Sequence, residues 1–201
     1  MAFFITVEGI DGAGKSTHLD FIAQYLQDCD YPCIQTREPG GTTLGEQLRG
    51  LLLHHEMHVN TETLLMFAAR SEHLKVLIEP TLQNETSVVC DRFTDASYAY
   101  QHGGKKIDIA FIQSLEKIVH PHLKPDLTFI FDLDPSIAKS RISGERDLDK
   151  FEKSSIEFFN GVRNVYLDLA KSDPHYFILD STQSIEAIQS KIKDRLDVLI
   201  K

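Results

Sequence analysis

The amino-acid sequence predicts an α/β fold: a mostly parallel five-stranded sheet with helices on both faces, an α/β/α arrangement in three layers, and a small lid. Two observations carry that expectation. Apolar, strand-like runs alternate with amphipathic helical patterns from end to end, the order that sets strands in parallel and wraps crossover helices over both faces. The first strand also runs directly into Gly9-Ile10-Asp11-Gly12-Ala13-Gly14-Lys15-Ser16, an unbroken G-x-x-x-x-G-K-[ST] pattern that leads straight into a helix.

The elements follow in order. Phe3–Val7 is apolar and β-branched, as a buried strand should be. After the glycine-rich stretch, Leu19, Ile22, Ala23 and Leu26 recur at i, i+3, i+4, i+7, one face of a helix. The further strand candidates are Cys33–Thr36, Ser87–Cys90, Leu127–Asp132 and Tyr176–Leu179. Amphipathic segments lie near Leu44–Leu53, Thr61–Leu82, Ile107–Val119 and Ser154–Ala170. The last helix carries Ile185, Ile188, Ile192, Leu196 and Leu199 on one face. The richest break is Ser143-Gly144-Glu145-Arg146-Asp147, which is charged and lies between helical patterns. It reads as a plain surface loop or as a mobile lid.

A chain of 201 residues suits one domain, taken as residues 1–201 with a lid segment at about 141–152. The net charge of −9 and the lack of a basic stripe argue against a nucleic-acid partner. No apolar run approaches a membrane span and no cleavable leader is visible, so a cytoplasmic protein is expected. Cys29, Cys33 and Cys90 are sparse, lack C-x-x-C spacing and fit reduced thiols.

The glycine-rich pattern is a phosphate cradle. Glycines let the backbone turn its N–H groups toward an anion, and the helix that follows adds the positive end of its dipole. Lys15 reaches the β- and γ-phosphates and the Ser16 hydroxyl can ligate Mg²⁺. The nucleoside triphosphate site is therefore Gly9, Ile10, Asp11, Gly12, Ala13, Gly14, Lys15, Ser16 and Thr17.

Ligands of such sheets bind beyond the carboxyl ends of the strands, so the residues just after each strand come next. Arg37-Glu38-Pro39-Gly40-Gly41 follows the second strand, and Asp91-Arg92-Phe93 follows the third. Arg37 and Arg92 are placed there to hold an acceptor phosphate, a task suited to a fork that stays charged; a surface ion pair is the plainer role for each. Asp91 is the natural Mg²⁺-side carboxylate, acting through water. Phe67-Ala68-Ala69-Arg70, Ala99-Tyr100-Gln101 and Leu148-Asp149-Lys150-Phe151-Glu152 complete an ordered set of marks.

In that set and order the chain closely resembles the thymidylate kinases, P-loop NTPase-type proteins, over nearly its whole length. The resemblance implies transfer of the γ-phosphoryl of ATP to dTMP, with Mg²⁺, in a homodimer. It implies catalytic roles for Lys15, Arg92, Arg141 and Arg146, with Arg92 bridging the two phosphates. It gives dTMP contacts to Asp11, Arg37, Phe67, Arg70, Arg92, Ser97, Tyr100 and Gln101. In that scheme Phe67 stacks on thymine, Arg70 donates to a base carbonyl, Ser97 bonds the base edge and Tyr100 crowds the 2′ position. Many members space the aromatic residue and the arginine four apart; here they are three apart, which leaves Phe67 and Met66 both open for the stacking role. Gly12 after the acidic Asp11, with Arg141 and Arg146 in and before the lid, matches members that supply an arginine from the lid. Lys150 stands where arginine is common, and Asp180–Gln183 resembles a loop beside adenine or a simple helix cap.

An ionised phosphate acceptor needs no general base, so alignment and charge neutralisation should carry the catalysis. Another nucleotide or nucleoside kinase is the alternative; a nucleoside kinase would need Glu8 or Asp11 as base. A GTP-dependent switch is less favoured, since no Asn-Lys-x-Asp run is present. His54, His55 and His58 fall short of the H-E-x-x-H pattern and are expected to bind no metal.

Overall fold

A computed structural model describes residues 1–142, 149–171 and 173–201. The order is β1 (Phe4–Gly9), α1 (Lys15–Asp28), β2 (Cys33–Arg37), α2 (Thr43–His54) and α3 (Val59–His73), then a π-helical segment (Leu74–Ile78), α4 (Glu79–Gln83) and β3 (Ser87–Asp91). There follow α5 (Thr94–Ser97), a second π-helical segment (Tyr98–Gly104), α6 (Ile109–Val119), β4 (Leu127–Asp132), α7 (Pro135–Ile142), α8 (Ile156–Ala170), β5 (Tyr176–Asp180) and α9 (Ile185–Leu199). The sheet has the strand order β2-β3-β1-β4-β5, and every pairing within it is parallel.

Burial explains the strand chemistry. Central β1 is buried along its whole length, and its one cross-strand polar pair is satisfied, Thr6 Oγ1 meeting Thr128 Oγ1 at 2.7 Å. Edge strands β2 and β5 bury only part of their residues, as half-covered edges require. Four strands run one or two residues beyond the apolar stretches seen in the sequence, ending on Gly9, Arg37, Asp91 and Asp180. These last ladder positions face the ligand end of the sheet, so they are polar or small and fall outside a hydrophobic criterion.

The long amphipathic stretch predicted over Thr61–Leu82 is three elements, because a π-helical turn interrupts it at Leu74–Ile78. The second π segment packs closely on α8: a Cβ on Gly161 would lie 2.2 Å from the Gly103 carbonyl oxygen. That contact fixes the depth at which Tyr100 and Gln101 enter the site. The middle of the expected lid, residues 143–148 and so all of Ser143–Asp147, lies outside the described residues.

Candidate active site

The cradle is built from the end of β1 and the start of α1. Lys15, 7% exposed, directs Nζ to the carbonyl oxygens of Gly9 at 3.2 Å and Ile10 at 3.3 Å. Burial, with Arg92 nearby, pulls its ammonium pKa below the ordinary value against the attraction of Asp91 and Asp11. Gly12 sits at φ +81, and a Cβ there would lie 2.6 Å from the Ala138 carbonyl oxygen and 2.9 Å from Ile142 Cγ1. Helix α7 therefore covers the position after Asp11 and leaves it no room for a side chain. Arg141, at the end of α7, lines the same cavity as Lys15, Ser16 and Thr17, and donates to the Ser181 carbonyl oxygen at 3.1 Å. Arg146 lies outside the described residues.

Arg92 leaves β3 with φ +68, a left-handed conformation uncommon outside glycine. Buried hydrogen bonds hold it there: Arg92 N donates to Val7 O at 2.9 Å, and Phe93 N donates to Glu8 Oε1 at 2.7 Å. Its Nη2 donates to Asp11 Oδ1 at 2.6 Å and to the Tyr100 hydroxyl at 2.8 Å, and Tyr100 donates to Asp11 Oδ2 at 3.0 Å. Burial alone would raise the Asp11 carboxyl pKa, but Arg92, Lys15 and Tyr100 outweigh it and hold the group below the usual value. Asp91 Oδ1 is buried with no hydrogen-bond partner among the described residues, in the cavity that Ser16 also lines.

A second cavity opens beside the first, lined by Arg70, Ser97, Tyr100 and Gln101 together with Met66, Leu53 and Phe151. Arg70 is held from three sides. Nε donates to Glu38 Oε2 at 2.7 Å, Nη1 to Ser97 Oγ at 3.2 Å and Nη2 to Phe93 O at 3.0 Å. Glu38, buried, also meets His73 Nδ1 at 3.1 Å. Burial pushes the Glu38 pKa up, and Arg70 with His73 more than reverses that. The two cavities share Asp11, Glu38, Arg49 and Arg92.

Two expected residues lie elsewhere. Phe67 does not line the cavity; it is 2% exposed, packs with Ile107 and Ile112, and lies under Arg70, whose Cζ is 4.6 Å from its ring centre. Met66 takes the cavity wall instead. With about 3.6 residues per turn, Met66 and Arg70 share one face of α3, whereas Phe67 is rotated under the arginine. Arg37 lines neither shared cavity: it pairs with Glu46 at 2.9 Å with about half its side chain exposed, in a groove beside Ser16 and Asp91.

Arg49 is the residue that strand-end reasoning missed. It donates from Nη1 to the Pro39 carbonyl oxygen at 2.8 Å and reaches both cavities from α2. The signal was available: Arg49 follows Gly45 by four residues and precedes Leu53 by four, an inward helix face interrupted by one cation. Elsewhere, His58 Nδ1 accepts from Asn60 N and caps α3. Asp180 accepts from Thr182 N at 2.9 Å, while Ser184 caps α9. Lys150 donates to His55 O at 3.0 Å and pairs with buried Glu62 at 2.8 Å.

A parallel sheet with a phosphate cradle at the end of β1, joined to a second polar-edged cavity, defines the class of P-loop nucleoside monophosphate kinases. Residues 7–192 match the family model described as thymidylate kinase. The chain is 53% identical over 191 residues to the thymidylate kinase of Janthinobacterium sp. (strain Marseille), covering 94% of each. It is also 53% identical over 190 residues to that of Thiobacillus denitrificans, covering 94% of this chain and 93% of the relative. The crystal structure of thymidylate kinase from Ehrlichia chaffeensis superposes with a TM-score of 0.80 at 34% identity, over 98% of both chains. The chain belongs to the thymidylate kinase family.

Proposed function

We propose that this chain transfers the γ-phosphoryl group of ATP to dTMP, giving dTDP and ADP, within one domain over residues 1–201 whose lid spans about 141–152. The observation that carries the mechanism is the shared wall: Asp11, Arg49 and Arg92 line both the cradle and the base cavity, so donor and acceptor phosphates meet between them. The acceptor's second pKa is near ~6 and it is mostly dianionic at neutral pH. No proton has to be removed from it. Neither carboxylate that a nucleoside kinase would call on suits a base in any case. Glu8 is fully buried and held by Phe93 N and Tyr166, and Asp11 is held by Arg92 and Tyr100. That argues against the nucleoside-kinase alternative.

Arg49 and Arg92 hold the acceptor phosphate against the donor, which brings two polyanions into line and neutralises the charge between them. Lys15 and the cradle N–H groups hold the β- and γ-phosphates, and Arg141 adds charge from α7. The partnerless Asp91 Oδ1 and the Ser16 hydroxyl are hard oxygen donors that fit Mg²⁺, Asp91 through water. When bound, the ion neutralises charge on the donor phosphates. Arg70, Ser97 and Gln101 read the base, with Met66 as the apolar wall and Tyr100, anchored on Asp11, beside the sugar.

Leu64, Val76 and Ile118 are 49%, 57% and 76% exposed on α3, the first π segment and α6, which supports a homodimer through helices that include the Thr61–Leu82 region. No helix among the described residues is long and apolar enough to cross a membrane; the cytoplasmic assignment rests on the three unpaired cysteines. The test is ADP production from MgATP with dTMP, dUMP, dCMP, dGMP, AMP and thymidine offered separately. Strong turnover with dTMP, weaker with dUMP and negligible with the others is expected. Faster turnover with thymidine or another nucleotide would overturn the base-site assignment.

A further inference from the structure

Glu62 lies on α3, has no exposed surface and contacts neither cavity. Its Oε2 meets two ammonium groups, Lys105 Nζ at 2.7 Å and Lys150 Nζ at 2.8 Å. Its Oε1 accepts from Gln101 Nε2 at 3.1 Å. Burial disfavours the carboxylate, yet the two lysines and Gln101 outweigh it and hold the Glu62 pKa below the ordinary value. An ionised carboxylate has acceptors only. It therefore takes the NH₂ side of the Gln101 amide and turns the carbonyl oxygen Oε1 the other way, toward the base cavity that Gln101 lines.

Beside it stands Arg70, with three of its five N–H groups committed to Glu38, Ser97 and Phe93. Ser97 and Gln101 are four residues apart on the continuous helical run Thr94–Gly104, so the Arg70 donors and the Gln101 acceptor are neighbours. The cavity edge offers a donor next to an acceptor. Its complement is a carbonyl next to an N–H, the imide edge of thymine or uracil. Cytosine presents the reverse, an amino group next to a bare ring nitrogen.

We propose that Glu62 is a positioning residue that locks the sense of the Gln101 amide, and so makes the cavity choose an imide pyrimidine over an aminopyrimidine. The inference rests on the reading that Gln101 faces the base. A neutral amide in place of Glu62 can donate or accept, which frees Gln101 to turn over.

The experiment measures KM and kcat for dTMP and dUMP, and competitive inhibition by dCMP, in wild type, Glu62→Gln and Gln101→Leu. Glu62→Gln should reduce the preference for dTMP over dCMP by at least about tenfold, the scale of a mispaired polar contact, while the ratio of dTMP to dUMP stays put. Both of those nucleotides share the imide edge, so a merely structural role would weaken all three together. A dTMP-to-dCMP preference within about threefold of wild type in Glu62→Gln, with Gln101→Leu impaired, would overturn the role of Glu62 alone. An unimpaired Gln101→Leu would instead remove Gln101 from the base site. Should Glu62→Gln not fold, hydrogen exchange of the Gln101 side-chain amide in the wild-type chain decides the matter. Slow exchange with and without dTMP is expected, and fast exchange in both states overturns the lock.

Discussion

The base cavity and the phosphate cradle share a wall but use their polar groups in opposite ways. On the base side, Arg70 is tied at three nitrogens and Gln101 is tied to Glu62, so orientation is fixed by the protein. On the phosphate side, among the described residues, Lys15 hydrogen-bonds only to backbone carbonyl oxygens of its own loop, and Asp91 Oδ1 meets no hydrogen-bond partner. One region is built to present a fixed pattern to a neutral ring. The other keeps charge and hydrogen-bonding capacity for polyanions. The difference teaches where each kind of substitution should act, on selectivity in the first region and on turnover in the second.

The largest effect belongs to the cradle. Lys15→Ala should lower kcat by roughly 10³-fold or more, the scale of one charge on a transferred phosphoryl group. Its thermal midpoint should not fall, since among the described residues the lysine's hydrogen bonds go to two backbone carbonyl oxygens and its burial already disfavours the charge. A coupled ADP assay with a thermal melt checks both, and turnover above a tenth of wild type would remove Lys15 from the mechanism.

The shared wall comes next. Arg49→Ala should raise KM for dTMP by roughly 10- to 100-fold, given ~1.5–3 kcal/mol for hydrogen bonds to charged groups. Arg37→Ala, which breaks only a half-exposed pair with Glu46, should stay within about threefold. The reverse order in steady-state kinetics would return the acceptor phosphate to Arg37.

Much of this architecture was legible beforehand, for identifiable reasons. Strand, cradle and helix at β1–α1 announce themselves because glycine, lysine and apolar periodicity are local signals. Arg92 and Asp91 were legible from their place after an apolar strand. Arg49 was not, because it reaches the site across a helix rather than from a strand end. Phe67 and Met66 stayed open in the sequence because residue type favours the aromatic, while the hundred-degree step between them decides which side chain lines the cavity. Glu62 carried no local signal at all: its partners lie 39 and 43 residues away and beyond, and only the packed fold brings them together.

Gly12→Ala tests how closely α7 covers the cradle. The left-handed backbone costs ~1–2 kcal/mol, and the 2.6 Å approach to Ala138 O adds to it. A loss of ~2 kcal/mol or more is expected, lowering the thermal midpoint by roughly 4–8 °C for a chain of this size. An unchanged midpoint would mean that α7 moves aside freely.

The junction of the two regions responds to pH. Glu8 lies beneath their junction, where it fastens the Arg92–Phe93 turn, accepting from Phe93 N and from the Tyr166 hydroxyl, each at 2.7 Å. Burial, reinforced by Asp95, pushes its pKa from 4.5 up to about 8, against the pull of Tyr166, Phe93 N and Arg92. Between those two values the folded chain keeps a proton that the unfolded chain releases. The stability held by Glu8 is therefore complete below the lower value and is lost as pH rises through the upper one, at no more than ~1.4 kcal/mol per pH unit. Glu8→Gln cannot titrate, so the wild-type advantage over the variant in urea unfolding should shrink steadily from about pH 5 to pH 8. Asp11, Glu38 and Glu62, whose pKa values are lowered, act with the opposite sign but are present in both chains and cancel in the difference. A difference that stayed flat across that range would show that Phe93 N and Tyr166 hold Glu8 ionised inside the fold, and that the buried junction carries a charge throughout.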